Sequence, residues 1–216
     1  MIKLNDKKWF AQGANRVCYV HPDESNKVLK IIKPWKRADV KKRQAPWYKK
    51  LRSSTCFDDN LQELKVLTWL EKKKSYLLHF PRCFGMVETD LGKALCVEYI
   101  YSDRKVGESL SLKKYLEENG FTDEIRDALD DLCGFLYKNL IVTRDLRSFN
   151  IMVRYTDAGI NLVIVDGLGN PEFIPVSNVI PLFGRLKIRR KFCRFKKRLD
   201  RIIANNSWKI PVLDDI

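Results

Sequence analysis

Arg144-Asp145-Leu146-Arg147-Ser148-Phe149-Asn150 and, one short hairpin later, Val165-Asp166-Gly167-Leu168-Gly169 decide how this chain is read. The first stretch sets a carboxylate, Asp145, behind an amphipathic helix and an amide, Asn150, at the head of an apolar strand. The second delivers Asp166 from the end of a Val/Ile-rich strand into a glycine-rich turn. Between them, Asn150 to Tyr155 and Ile160 to Val165 read as two short strands around the turn Thr156-Asp157-Ala158-Gly159. A carboxylate and an amide at the ends of such a hairpin are hard oxygen donors of the kind magnesium takes. Either aspartate alone is equally a surface or turn residue. Their order together points to chemistry on phosphate.

Working outward, Thr122 caps a predicted helix with Glu124 in its first turn, and Ile125, Leu129, Leu132, Leu136 and Leu140 share one face. Ser111 precedes a shorter helix at Leu112 to Leu116. The first half of the chain is β-rich instead. Val17 to Val20, Val28 to Ile32, Phe84 to Glu88 and Ala94 to Ile100 read as strands. One helix interrupts them, from about Asp58 to Lys73, with Leu61, Leu64, Leu67 and Leu70 at helical spacing. Lys30 lies in an apolar strand, where an ammonium is costly unless it is paired or meets a phosphate; an edge-strand charge is the bland alternative. Glu63 and Glu71, both in the helical stretch, are candidate partners.

The Asp145 to Asn150 loop resembles the catalytic loop of protein kinases, where Asp orients the acceptor hydroxyl and Asn holds magnesium. Asp166 then resembles the second metal ligand, and Val28-Leu29-Lys30 the strand whose lysine meets the α- and β-phosphates, with Glu63 its natural partner. Gly13-Ala14-Asn15-Arg16-Val17-Cys18-Tyr19 stands in the place of a glycine-rich phosphate loop. The opening Val17-Cys18-Tyr19-Val20-His21-Pro22, the stretch Phe80-Pro81-Arg82-Cys83-Phe84-Gly85-Met86-Val87-Glu88-Thr89 and the Asp145 loop are similar to the bacterial YrbL family of the PhoP regulatory network.

That resemblance implies a minimal two-lobed protein-kinase-like fold of the α+β class. Residues 1–100 form a β-rich N-lobe with one helix, and residues 101–216 a shortened helical C-lobe. It implies ATP and magnesium as cofactors. Gly13, Lys30 and Glu63 fall at the phosphates, the backbone of Glu98 and Ile100 at adenine, and Asn150 and Asp166 at the metal. Asp145 and Arg147 are the expected catalytic residues, Arg147 standing where Ser/Thr-type kinases carry lysine. The chain departs from the kinase pattern at Thr143 (for His), Gly167 (for Phe) and Arg16 (for a later Gly of the phosphate loop). After Asp166 it is too short for the helical platform that binds peptides in full kinases. A sugar, lipopolysaccharide-core or protein hydroxyl is the expected acceptor, and a weak or inactive nucleotide-binding regulator is the alternative.

The chain's 45% hydrophobic content suits one globular core, and no apolar run is long enough for a membrane span. The N-terminus lacks the apolar stretch of a secretion signal, and six scattered cysteines read as reduced core thiols, so the expected location is cytoplasmic. The net charge of +14 is concentrated in Lys33 to Arg52 and Arg185 to Arg201. The second block is a helix with Ile188, Phe192, Phe195, Leu199 and Ile202 at alternating steps of four and three. That apolar stripe either completes the second lobe's core or lies on an anionic membrane at its inner face. In the first case the basic face suits an anionic acceptor such as a phosphorylated glycan; in the second, the anionic lipid itself. The first block, with Trp35, Trp47 and Tyr48, also suggests a nucleic-acid-binding module, ranked last because no nucleic-acid motif accompanies it.

Overall fold

The sheet that carries Lys30 assembles from strands β1 (Ala11–Gln12), β2 (Arg16–Val20), β3 (Lys27–Ile32), β4 (Cys83–Thr89) and β5 (Gly92–Glu98). This computed structural model of the chain describes residues 1–73, 76–101, 109–168, 181–203 and 208–211. The strand order is β1-β2-β3-β5-β4, with every neighbour antiparallel, and it sets Lys30 opposite Cys18 on one side and Leu95 on the other. Leu4, Tyr19, Leu29, Ile31, Ala94 and Cys96 form a buried cluster in this unit. Lys30 is therefore in a central strand, flanked on both edges by ladder partners, and not at a sheet edge.

Three helices of this unit's described residues lie between β3 and β4 in sequence: α1 (Ala38–Gln44), α2 (Trp47–Lys50) and α3 (Asp59–Leu70). The Asp58 carboxylate caps α3 by accepting from Leu61 N at 2.9 Å. The buried face of α3 differs in phase from the expected leucine row. Asn60, Glu63, Leu67 and Leu70 are buried, whereas Leu61 and Leu64 are only half-buried. The polar half of this face is turned inward because Arg16 and Lys30 wait there. The helix ends at Leu70, short of the expected Lys73, and leaves Glu71 exposed beyond its last turn.

Chain segments Met1–Lys74 and Pro81–Tyr99 make up this first unit; Ser75–Phe80 and Ile100–Ile216 make up the second. In the second, α4 (Tyr76–His79), β6 (Leu110–Ser111), α5 (Leu112–Asn119) and α6 (Asp123–Lys138) precede the hairpin β7 (Ile151–Thr156) and β8 (Gly159–Ile164). The sheet order is β6-β7-β8. Ser111 and Thr122 cap α5 and α6 by accepting from Lys114 N and Ile125 N, as their positions predict. Ile125, Leu129, Leu132 and Leu136 are buried, but Leu140 is not on that face: the helix stops at Lys138 and Leu140 turns away with φ +54°.

The last long helix, α7, spans Pro181–Leu199. Its stripe of Ile188, Phe192, Phe195 and Leu199 is fully enclosed. Phe192 and Phe195 meet the Trp208 ring edge-on, each with centroids 6.3 Å away, and Trp208 Nε1 donates to Asp130 on α6 at 2.6 Å. Core completion thus takes Ile188, Phe192, Phe195 and Leu199, while Ile202, the last residue of the expected stripe, lies half-buried past the helix end. No helix among the described residues is long and apolar enough to cross a membrane. All six cysteines are free thiols; burial pushes Cys96 up to about 11.

Candidate functional site

In the first unit, Lys30 Nζ lies 2.5 Å from Glu63 Oε1, and both side chains are almost wholly buried. Glu63, not the exposed Glu71, is therefore the partner of the strand lysine. Arg16 Nη1 reaches the other oxygen, Glu63 Oε2, also at 2.5 Å, and contacts Asn60 Oδ1 at 3.3 Å. Asn60 Nδ2 in turn donates to the Lys30 carbonyl at 2.8 Å, which pins α3 to β3. Two buried cations thus meet on one buried carboxylate. Such a centre is stable only when each charge keeps its hydrogen bonds.

Arg16 is the residue that sequence reasoning undervalued, noting it only as an occupant of a glycine position. Its own backbone carbonyl accepts from Gly13 N at 2.9 Å, closing the β1–β2 turn, and Lys33 Nζ donates to the Gly13 carbonyl at 2.8 Å. A Cβ on Gly13 would meet nothing within 4 Å, so no steric demand holds glycine there. Glu98 N and Tyr99 N donate within the unit to the carbonyls of Arg82 and Asn26, and Ile100 is buried.

In the second unit, Asp145 is held by two guanidinium groups. Arg147 Nε stands 2.5 Å from Asp145 Oδ2, and Arg198 Nη1, from α7, 3.2 Å from Oδ1. Arg198 also donates to the Leu146 carbonyl, and Lys191 Nζ to that of Arg144, so α7 grips the loop at two points. The sequence signal for Arg198 was only its place on the basic flank of the apolar stripe.

The loop is closed from behind by the turn after β8. Arg144 N donates to the Gly167 carbonyl at 2.8 Å, Val165 N to Asn150 O at 3.0 Å, and Asn150 Nδ2 to Asp145 O at 3.3 Å. Gly167 has φ +85°, and a Cβ there would lie 2.8 Å from the Asp145 carbonyl oxygen. That approach explains why glycine, and not a phenylalanine, follows Asp166. Asp166 Oδ1 accepts from Gly167 N at 2.6 Å. Gly169, the last residue of the quoted turn, lies outside the described residues.

Asn150, an amide, faces Val165 across the mouth of the hairpin, and Asp166, a carboxylate, follows one residue later. Magnesium is bound by one or two such donors when nucleotide phosphates complete its octahedron, and the pair fits that use. No group of three metal-ligating His, Cys, Asp or Glu side chains occurs among the described residues, so these two donors make no self-sufficient metal cage.

The family model described as "PhoP regulatory network protein YrbL" matches residues 2–200. The chain is 28% identical over 181 residues to the uncharacterized protein YrbL of Escherichia coli (strain K12), an alignment covering 82% of this chain and 78% of the relative. The Shigella flexneri protein of the same name matches equally. Among solved structures, similar chains include Rad53 1-466 in complex with AMP-PNP, at 17% identity and TM-score 0.46 over 74% of this chain. The Mycobacterium tuberculosis PknI kinase domain is similar at 12% identity and TM-score 0.44 over 75%. The chain spans 37% and 58% of the lengths of those two chains. Its own architecture is α+β, with a β-rich N-terminal sheet and a mainly helical remainder.

Proposed function

The chain belongs to the YrbL family of PhoP regulatory network proteins, and we propose that it is an ATP- and magnesium-dependent phosphotransferase acting on a hydroxyl acceptor. The observation that carries this reading is the buried pair of Lys30 and Glu63, a strand lysine steadied by a helix glutamate. In this reading Lys30 neutralises the α- and β-phosphates, while Glu63 and Arg16 fix its position. Gly13 lies over the phosphates, and the backbone of Glu98 and Ile100 faces adenine. Asn150 and Asp166 hold magnesium, which screens the charge that builds up on the transferred phosphoryl group. Asp145 orients the acceptor hydroxyl, and Arg147 balances charge beside it.

Catalysis would rest on positioning and charge neutralisation rather than on a covalent step. Arg147, Arg198 and Lys191, gathered at the Asp145 loop, suit an acceptor that is itself anionic, such as a phosphorylated sugar or lipopolysaccharide core. The free thiols suit a reducing compartment, the cytoplasm, where ATP is at hand.

A second reading, a nucleotide-binding regulator without turnover, is favoured by one observation: Asp145 is already engaged by two arginines. Incubation with γ-labelled ATP and magnesium, with and without cell extract, separates the two. The enzyme reading expects label on an acceptor and its loss in Asp145→Ala; nucleotide binding with no labelled product in any fraction supports the regulator.

A further inference from the structure

The stretch from Pro34 to Arg52 presents large apolar side chains to solvent among cations. Trp35 is 62% exposed, Trp47 78%, Tyr48 55% and Leu51 83%. Trp47 and Leu51 are four residues apart, hence on one side of the helical turn, and the Trp47 and Tyr48 rings stand edge-to-face at 6.1 Å. Arg37, Lys49, Lys50 and Arg52 around them are exposed too. Asp39, the one acidic residue of the stretch, is engaged by Arg43 at 2.8 Å. The segment is anchored on its inner side. Lys41 Nζ lies 2.6 Å from Asp59 Oδ2 on α3, and Arg37 Nη2 approaches Gly92 of β5. Its aromatic side chains are therefore displayed from a fixed base.

We propose that this face docks the protein on an anionic phospholipid surface, with Trp35, Trp47 and Leu51 entering the headgroup boundary and the flanking Lys and Arg residues meeting lipid phosphates. The charge is complementary to such a leaflet, and indole and phenol rings favour the level where apolar chains meet water. Leu51 decides between this partner and a nucleic acid. Bases stack on Trp and Tyr but gain nothing from an exposed leucine, whereas an acyl boundary takes all three. The basic helix α7 is the poorer candidate, because its apolar stripe is consumed in the core. This inference does not depend on phosphotransfer.

The test uses the full chain and vesicles of phosphatidylcholine, with or without phosphatidylglycerol, carrying brominated acyl chains. The native protein is expected to sediment with the anionic vesicles only, to be released by salt, and to lose tryptophan fluorescence to the bromines. W47S/L51S, at two largely exposed positions, is expected to keep its melting temperature while vesicle affinity falls at least tenfold. Lys49→Glu and Lys50→Glu should each weaken binding by more than roughly fivefold, since each removes one attraction and adds a repulsion. Sedimentation of W47S/L51S equal to native, absence of bromine quenching, or tighter binding to single-stranded oligonucleotide than to anionic vesicles would each overturn the proposal.

Discussion

Arg16 and Lys30 share a single carboxylate: Glu63 gives Oε2 to the arginine and Oε1 to the lysine, each at 2.5 Å, and all three side chains are buried. Removing the shared anion takes one counter-charge from two buried cations at once. Glu63→Gln is therefore expected to destabilise the protein by about 3–5 kcal/mol. Arg16→Met, which leaves Lys30 paired, should cost distinctly less. Urea unfolding of both variants checks the order; an Arg16→Met variant less stable than Glu63→Gln contradicts the shared-carboxylate account.

Gly167 and Gly13 make a matched pair of glycines with opposite demands. Alanine at Gly167 must adopt φ +85° and press on the Asp145 carbonyl, so a loss of about 1–3 kcal/mol is expected. Alanine at Gly13 meets open space and should leave stability within about 0.5 kcal/mol of native. Equal unfolding midpoints for the two alanine variants would contradict the close approach of the Asp166 turn to the Asp145 loop.

On the proposed function Arg198 is a positioning residue, since it contacts Asp145 and would act through it. Its pair is partly exposed, so Arg198→Ala should change stability by no more than about 1 kcal/mol. If Asp145 orients the acceptor as proposed, turnover of an identified acceptor should nevertheless fall by about tenfold or more, because that carboxylate loses its hold. The neighbouring Lys197→Ala serves as control and should keep native kcat. An Arg198→Ala enzyme with native kcat and KM would remove Arg198 from the site.

His79 gives the fold an acid-sensitive point. It is buried, lies 3.2 Å by Nδ1 from the Leu162 carbonyl, and packs on the Phe135 ring. Burial holds its pKa below the ordinary 6.5, against the opposing pull of the Leu162 carbonyl and Asp131. The unfolded chain takes up a proton near 6.5 while the native state does not, so the contribution present above that pH is lost as pH falls below it. The urea midpoint should drop between about pH 7.5 and about pH 5.5, and His79→Gln should flatten that drop. An unchanged slope in the variant would assign the acid sensitivity elsewhere.

Much of this fold was legible because its signals are local. Ser111 and Thr122 cap the helices they precede, and the β7–β8 hairpin forms where the strand pattern put it, with Asn150 and Asp166 just beyond its ends. Two things were not legible, for the same physical reason. The inward face of α3 carries Asn60 and Glu63, and hydrophobic periodicity cannot register a polar face whose partners, Arg16 and Lys30, lie far away in sequence. Arg198 reaches Asp145 across 53 residues, and a periodic stripe says which side of a helix is buried but not where its flank lands. Leu140 was misplaced on the α6 face because it keeps the helical spacing one step past a helix that has already ended.

The most direct test of the central claim is calorimetric titration of ATP into the native protein and into Asp166→Ala, each with magnesium and with EDTA. The account predicts saturable binding to the native protein that is strengthened by magnesium. In Asp166→Ala, binding should persist at the EDTA level with the magnesium enhancement gone. No heat of binding to the native protein at millimolar nucleotide, or the same magnesium enhancement in Asp166→Ala as in the native chain, would contradict it.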